Sequence, residues 1–79
     1  DLVRKFNMAK ERLTLALELE DAQSDKLIAE RRRQKEGRST TFQVFLFEQD
    51  YMGSQLVRIL TQGRILRLLT QMKIYRGEP

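Results

Sequence analysis

Residues 1–36 carry their apolar side chains along two lines that an α-helix would place on different sides. At about 100° per residue, one line contains Leu2, Phe6, Ala9, Leu13, Ala16, Leu17 and Leu27, and the other contains Met8, Leu15, Leu19 and Ala22. The segment lacks Gly and Pro and is rich in good helix formers. The alternating leucines of LTLALELE would also fit a half-buried strand, but a strand would favour β-branched residues. We therefore predict one helix that packs on two sides.

Residues 40–76 repeat this two-sided pattern. One side contains Phe42, Phe45, Gln49, Met52, Leu56, Leu60 and Ile74, and the other contains Val44, Phe47, Tyr51, Ile65, Leu69 and Met72. Gly53 and Gly63 interrupt the predicted helix, and each costs about 1 kcal/mol relative to Ala. We interpret Gly53 as a point of close packing and Gly63 as tolerated in a long helix. The predicted stop signals are Lys73, Arg76, Gly77 and Pro79.

The stretch RRRQKEGRSTTFQ, residues 31–43, separates the two segments. Its first cations would oppose the negative end of the first helix dipole, and Gly37 suits the left-handed position just beyond a helix. Thr40 followed by Gln43 has the spacing of a capping box that starts a helix. A connection of residues 37–39 is short enough to make the helices antiparallel neighbours. We predict an all-α fold, a coiled-coil-like hairpin of two long helices forming one domain.

Composition narrows the possible functions. The chain has 79 residues and neither Cys nor His, so thiolate chemistry and the commonest general base and metal ligand are missing. We expect no enzyme, catalytic residue, metal or cofactor. Arg58, Arg64 and Arg67 interrupt the apolar clusters, and the roughly 20 apolar residues of a membrane span do not occur. Because the chain begins at Asp1 within a periodic pattern, we interpret it as a piece of a longer protein.

The net positive charge of the chain comes from one short stretch. Within residues 31–38, five cations and one acid give a charge of +4, equal to the net charge of the whole chain. Dipole complementation with a solvated tip, docking of a partner, and nucleic-acid binding are three interpretations of this run. The nearby aromatics are Phe42, Phe45, Phe47 and Tyr51. They recur with apolar neighbours, which indicates packing and disfavours base stacking.

The stretch around Gly37 resembles a known family. Arg33, Gly37 and Thr40, followed by Phe42, Val44, Phe45 and the FEQD of residues 47–50, are similar to the last helical hairpin of the TolC-like outer-membrane efflux channels. Members typically have an Arg, a Gly four residues later and a Ser or Thr three residues after that, before a hydrophobic helix. The specific part covers about twenty residues, although the resemblance extends over nearly the whole chain.

The resemblance implies a trimeric full-length protein in the outer membrane, with this hairpin in the wall of a periplasmic α-helical barrel. The turn would dock against a periplasmic adaptor protein that links the channel to a pump. The residues carried over as the docking tip are Arg33, Gly37, Arg38, Ser39 and Thr40. The two apolar lines would be lateral seams, so we expect the isolated hairpin to self-associate into a bundle.

The chain departs from the family pattern at one point. Some members place Asp in the first turns of the returning helix, where this chain has Gln43 and Leu46. We expect Gln43 to face the lumen without forming a charged gate. Glu48 and Asp50 are interpreted as solvated charges on the helix surface.

A second class of function stays open, a coiled-coil hairpin arm that binds another macromolecule such as RNA through its basic tip. Such an arm should bind with strong salt dependence. A channel hairpin is not expected to bind nucleic acid.

Overall fold

A computed structural model describes residues 1–75 and 77, with only the backbone of Tyr75. Two helices, α1 (Leu2–Lys35) and α2 (Thr41–Tyr75), account for nearly all of these residues. They run antiparallel in a rod of 61 × 16 × 15 Å, which confirms the predicted all-α hairpin. The LTLALELE stretch lies inside α1, so the alternative of a strand is wrong. Its leucines serve different sides of one helix.

The helix ends follow the local signals. The Asp1 carboxylate caps α1 by accepting a hydrogen bond from the Arg4 N–H at 2.7 Å. The last turn of α1 contains Arg32, Arg33 and Lys35, where cations complement the dipole. Each helix is within one residue of its predicted limits. At the far end, Gly77 has a φ of 73°, as expected of a residue that ends a helix, whereas Arg76 and Pro79 lie outside the described residues.

The two helices meet along a line that we call the inner seam. Its positions follow one another at intervals of three and four residues, the heptad repeat of a coiled coil. In α1 they are Leu2, Phe6, Ala9, Leu13, Ala16, Glu20, Gln23, Leu27, Glu30 and Gln34, and in α2 they are Val44, Phe47, Tyr51, Ser54, Arg58, Thr61, Ile65, Leu68 and Met72. All of these side chains are buried or half-buried. One of the two predicted apolar lines on each helix therefore faces the other helix.

Few of the large apolar side chains in the inner seam are fully buried. Its buried apolar residues are Ala9, Ala16, Leu27, Val44 and Leu68. Glu30 and Ser54 are also buried, and Glu20 of α1 forms an ion pair with Arg58 of α2. A second ion pair joins Arg31 to Glu48 at 3.2 Å. Together these two pairs define which residues of the antiparallel helices lie level with each other.

The second apolar line on each helix is uncovered. On α2, Phe42, Met52 and Leu56 are 66%, 58% and 55% exposed, and on α1 Leu15 is 64% exposed. Within the hairpin, these side chains have no covering element.

Three sequence-based interpretations are wrong within the hairpin. Leu17 and Leu69 belong to the predicted lines that face the other helix, yet their side chains are 42% and 37% exposed. Both flank the inner seam, because they fall outside its strict heptad spacing. Close packing at Gly53 is also wrong here, since a Cβ added there would meet nothing within 4 Å.

Candidate functional site

The hairpin tip is a Schellman turn, the hydrogen-bonded end that glycine commonly gives a helix. Gly37 has a φ of 74°, and its N–H donates to the Gln34 carbonyl at 3.0 Å. The Arg38 N–H reaches back to the Arg33 carbonyl at 2.8 Å. The predicted left-handed conformation of Gly37 is confirmed. A Cβ at this position would meet no atom within 4 Å, so glycine is favoured here by its backbone conformation and not by lack of space.

Thr40 starts the returning helix. Its hydroxyl accepts a hydrogen bond from the Gln43 N–H at 3.1 Å, which satisfies one of the free donors at the helix start. The Gln34 side-chain amide donates to the Thr41 hydroxyl at 3.1 Å, which joins the last turn of α1 to the first turn of α2. The cap predicted from the spacing of Thr40 and Gln43 is confirmed on the side of the Thr40 hydroxyl.

A buried carboxylate organises the inside of the tip. The Glu30 side chain is only 8% exposed. It accepts a hydrogen bond from the Ser39 hydroxyl and lies 3.5 Å from the Arg33 guanidinium. Arg33 in turn donates to the Arg38 carbonyl at 3.4 Å. Because a buried charge is costly unless it is paired and hydrogen-bonded, Glu30 holds Arg33 and the loop residue Ser39 in one arrangement.

Most of the predicted docking residues line a single notch. This shallow depression at one side of the tip is lined by Glu30, Arg33, Arg38, Ser39, Thr40, Gln43 and Phe47. Five of the six residues predicted from the sequence are therefore brought together. Gly37 is separate from the lining and contributes through the turn. Gln43 lies at the rim of this notch as an exposed residue.

The cations of the basic run have different surroundings. Arg31 is paired with Glu48 of α2, so Glu48 is more than the solvated charge inferred from the sequence. Arg38 lies 3.7 Å from Glu36, and its side chain remains 73% exposed. Exposed pairs of this kind contribute little stability. The Arg38 guanidinium is therefore held loosely and keeps donors exposed to solvent.

Sequence reasoning missed Glu30 and Phe47 as members of the tip. Both occupy the inner seam, and Glu30 continues the heptad spacing of Ala9 and Ala16 at a position where a carboxylate is unexpected. The sequence did contain a signal for Glu30. It is an acidic residue at the spacing of a buried apolar repeat, and it comes shortly before a turn that contains Ser39.

A second cluster of cations lies near the open end of the hairpin. Two adjoining grooves between α1 and α2 are lined by Lys5 with Arg64 and Arg67, and by Arg12 with the same two arginines. Within the described part of the chain, none of these four cations forms a salt bridge. The basic character of the molecule therefore extends beyond the tip.

Comparison of the chain with protein-family models, with curated proteins and with solved structures finds no match. Over residues 1–75, neither helix contains a segment long and apolar enough to cross a membrane.

Proposed function

We propose that this chain is the last periplasmic helical hairpin of a trimeric TolC-like outer-membrane efflux channel, and that its tip docks a periplasmic adaptor protein during export of small molecules. The observation that carries the proposal is the turn itself. Arg33 and Gly37, two of the residues that carry the family resemblance, belong to the hydrogen-bonded end of α1, and the third, Thr40, caps the start of α2. A short motif whose members fix both helix ends in this way is suited to present a defined surface.

The chemistry of the notch fits a partner with carbonyl or carboxylate acceptors. Arg33 and Arg38 are 57% and 73% exposed, and a guanidinium offers planar pairs of donors to such groups. The Ser39 hydroxyl is engaged with Glu30, so Ser39 shapes the loop. Thr40 is likewise engaged as a helix cap. Arg38 therefore has the freest donors for contacts. Arg33 shares its guanidinium with Glu30 and the Arg38 carbonyl, and the small polar residues maintain the shape.

The uncovered apolar lines are consistent with a position in a helical wall. A helix standing between two neighbours must pack on opposite sides, and α2 has an apolar line facing α1 and another, exposed, on its far side. A solitary hairpin would leave these side chains in water. Neighbouring helices of a barrel would cover them.

The docking proposal is tested in cells that depend on the full-length channel, with efflux and channel abundance measured together. Arg38→Glu is expected to lose efflux at normal abundance, because it replaces a donor in the notch with a repelling acceptor. Arg33→Glu should also lose efflux, but it additionally removes the ion-pair partner of the buried Glu30, so Arg38→Glu is the decisive variant. Gly37→Val is expected to act similarly through the turn, at a local cost of about 1 to 2 kcal/mol.

The matched control is Arg32→Glu. Arg32 lies beside Arg33 in the same helical turn and is exposed, but it is not part of the notch lining. This variant makes the same change of charge and should keep efflux. Full efflux in the notch variants, or a loss that only parallels lost protein, would contradict the docking role.

Binding of RNA by a hairpin arm is a second candidate, favoured by the four cations of the two grooves near the open end. Polyanion binding through them would weaken steeply with salt. Titration of the chain with single-stranded RNA at two salt concentrations tests this candidate. Arg64→Gln should reduce binding if the grooves are used, whereas Arg38→Gln should reduce it if the tip is used.

A further inference from the structure

The four cations near the open end of the hairpin lie beside the inner seam, and we call them the open-end cluster. Its members are Lys5, Arg12, Arg64 and Arg67. Lys5, Arg12 and Arg64 each come directly before a member of the inner seam. In a coiled coil, side chains that flank the seam on the two helices approach each other and often carry opposite charges. Here both helices place cations on this flank.

No salt bridge within residues 1–75 involves a member of the open-end cluster. On one helix, an acidic partner would lie three or four residues away, and neither Arg64 nor Arg67 has an acid at those distances. From Tyr51 to Tyr75 the sequence of α2 contains no acidic residue. Arg64 and Arg67 are three residues apart, so their like charges are neighbours on the helix surface. A bound anion would remove this repulsion.

The two grooves that the open-end cluster lines adjoin each other and share two cations. Arg64 and Arg67 line both grooves, whereas Lys5 belongs to one and Arg12 to the other. Lys5 and Arg12 are seven residues apart on α1, about 10 Å along the helix. Two anionic groups in neighbouring grooves would therefore both be near the arginines, and each would have one further cation from α1.

The other side chains of the grooves add little that would select an organic ligand. Gln71 brings a side-chain amide to one groove and Thr61 a hydroxyl to the other. The Thr61 hydroxyl donates to the Val57 carbonyl at 2.7 Å, so the cations are the main donors. Guanidinium groups bind phosphate oxygens through paired hydrogen bonds, and a phosphoryl group concentrates more charge than a carboxylate. Four cations in this short length therefore favour phosphoryl groups.

We propose that the two grooves form one binding site for a compact ligand with two or more phosphoryl groups, either a soluble polyphosphate or a phosphorylated lipid headgroup. Arg64 and Arg67 contact both phosphoryl groups, Lys5 contacts one and Arg12 the other. The inference goes beyond the proposed function and needs only these residues. Its failure would leave docking at the tip untouched, and failure of the docking experiment would leave this site standing.

A strand of RNA fits these grooves less well than a compact ligand. Neither groove has an aromatic side chain in its described lining, so the bases would have no ring to stack on. Between the open end and the tip, residues 18–30 carry five acidic side chains and one lysine. A strand that continued towards the tip would pass these acids. A compact ligand stays within the open end and avoids them.

Isothermal titration calorimetry of the chain with sodium tripolyphosphate, at about 0.15 M salt, tests the site. Arg64→Gln and Arg67→Gln should each weaken binding by about tenfold or more, because each removes a guanidinium that contacts both phosphoryl groups. Lys5→Gln and Arg12→Gln should each weaken it less. All four positions are exposed and glutamine is a good helix former, so circular dichroism should show unchanged helix content. Arg32→Gln, the matched control, removes an exposed cation outside both grooves and should keep the wild-type affinity.

Co-sedimentation with vesicles distinguishes the two sources of phosphoryl groups. Vesicles of phosphatidylcholine with cardiolipin, a lipid whose headgroup carries two phosphates, should bind the wild-type chain and lose Arg64→Gln if the ligand is a lipid. Vesicles of phosphatidylcholine alone are the control. Binding of tripolyphosphate without binding of either vesicle assigns the site to a soluble polyphosphate.

Three results would overturn the proposal. The first is that neither tripolyphosphate nor the cardiolipin vesicles bind. The second is that Arg32→Gln weakens binding as much as Arg64→Gln, since the effect would then follow net charge alone. The third is that single-stranded RNA binds more tightly than tripolyphosphate and responds equally to Arg64→Gln and Arg38→Gln, which would indicate general attraction of polyanions to both basic ends.

Discussion

The two sides of α2 differ in composition. One side belongs to the inner seam, and the other, which we call the outer seam of α2, carries the exposed residues Phe42, Phe45, Met52, Leu56, Ile59 and Leu66. The inner seam buries five apolar residues, two of them Ala, together with a buried Glu30 and the Glu20–Arg58 ion pair. The outer seam of α2 has exposed apolar side chains, such as Phe42 and Leu56, and no charge. Among the described residues, seventeen large apolar side chains are exposed. The hairpin therefore leaves more of its large apolar surface outside than inside.

The difference suggests a division of roles between the two seams. Polar groups that pair inside a helix interface specify register more than they add stability, and the inner seam is rich in them. Apolar burial contributes about 25 cal/mol per Å², and the exposed apolar side chains do not contribute it within the hairpin. We infer that the inner seam aligns the two helices.

The largest difference between the two seams is expected when one leucine in each seam is truncated to alanine. Leu27→Ala is expected to lower the free energy of unfolding by about 2 to 5 kcal/mol, because Leu27 is 4% exposed within the hairpin. Leu56→Ala removes the same atoms from a side chain that is 55% exposed, and the dilute hairpin should change by less than about 0.5 kcal/mol. Thermal unfolding followed by circular dichroism over a dilution series checks both.

Concentration separates the two variants further. The loss in Leu27→Ala should persist at every protein concentration, whereas Leu56→Ala should lose stability only where the wild-type chain associates. Equal losses at low concentration would mean that the outer seam of α2 already packs within one hairpin.

A smaller effect is expected from the ion pair in the inner seam. The side chains of Arg58 and Glu20 are 25% and 16% exposed, so Glu20→Ala leaves a half-buried guanidinium without its carboxylate. The expected cost is about 1 to 3 kcal/mol. Glu48→Ala, which removes the exposed partner of Arg31, is the matched control and should cost about 0 to 1 kcal/mol.

Denaturant unfolding of these variants, and of a chain that carries both Glu20→Arg and Arg58→Glu, measures the coupling energy between residues 20 and 58. Partial recovery in the exchanged pair is expected if the interaction sets register. If Glu20→Ala and Glu48→Ala cost the same, the inner seam has no special role in alignment.

The smallest predicted effect concerns the two glycines inside α2. A Cβ at Gly53 or Gly63 would meet nothing within 4 Å in the hairpin, so changing either to Ala should stabilise the isolated hairpin by up to about 1 kcal/mol. Thermal unfolding of the two variants, compared with the wild-type chain, tests this expectation. A loss of stability in either variant would contradict it.

The turn and the helices were predictable because their causes are local. Gly37, Thr40 and Asp1 act on backbone groups within a few residues of themselves, and helix propensity adds up along a continuous segment. Five of the residues predicted for the tip line one notch for the same reason, since all of them lie in the turn or in the helix ends next to it. Glu30 was missed because its partner Ser39 lies across that turn, beyond the reach of a helical repeat.

The amino-acid sequence alone therefore established two amphipathic helices, the place where the chain reverses and the two-sided nature of each helix. It left open which apolar line would face the other helix, because both lines satisfy the same periodicity. That choice depends on side chains far apart along the chain, such as Glu20 and Arg58, which are separated by 38 positions. Their pairing requires the helices to be antiparallel and at one particular height. Only the packing of the two helices brings such distant side chains into contact, because propensity and capping act over a few residues along the chain.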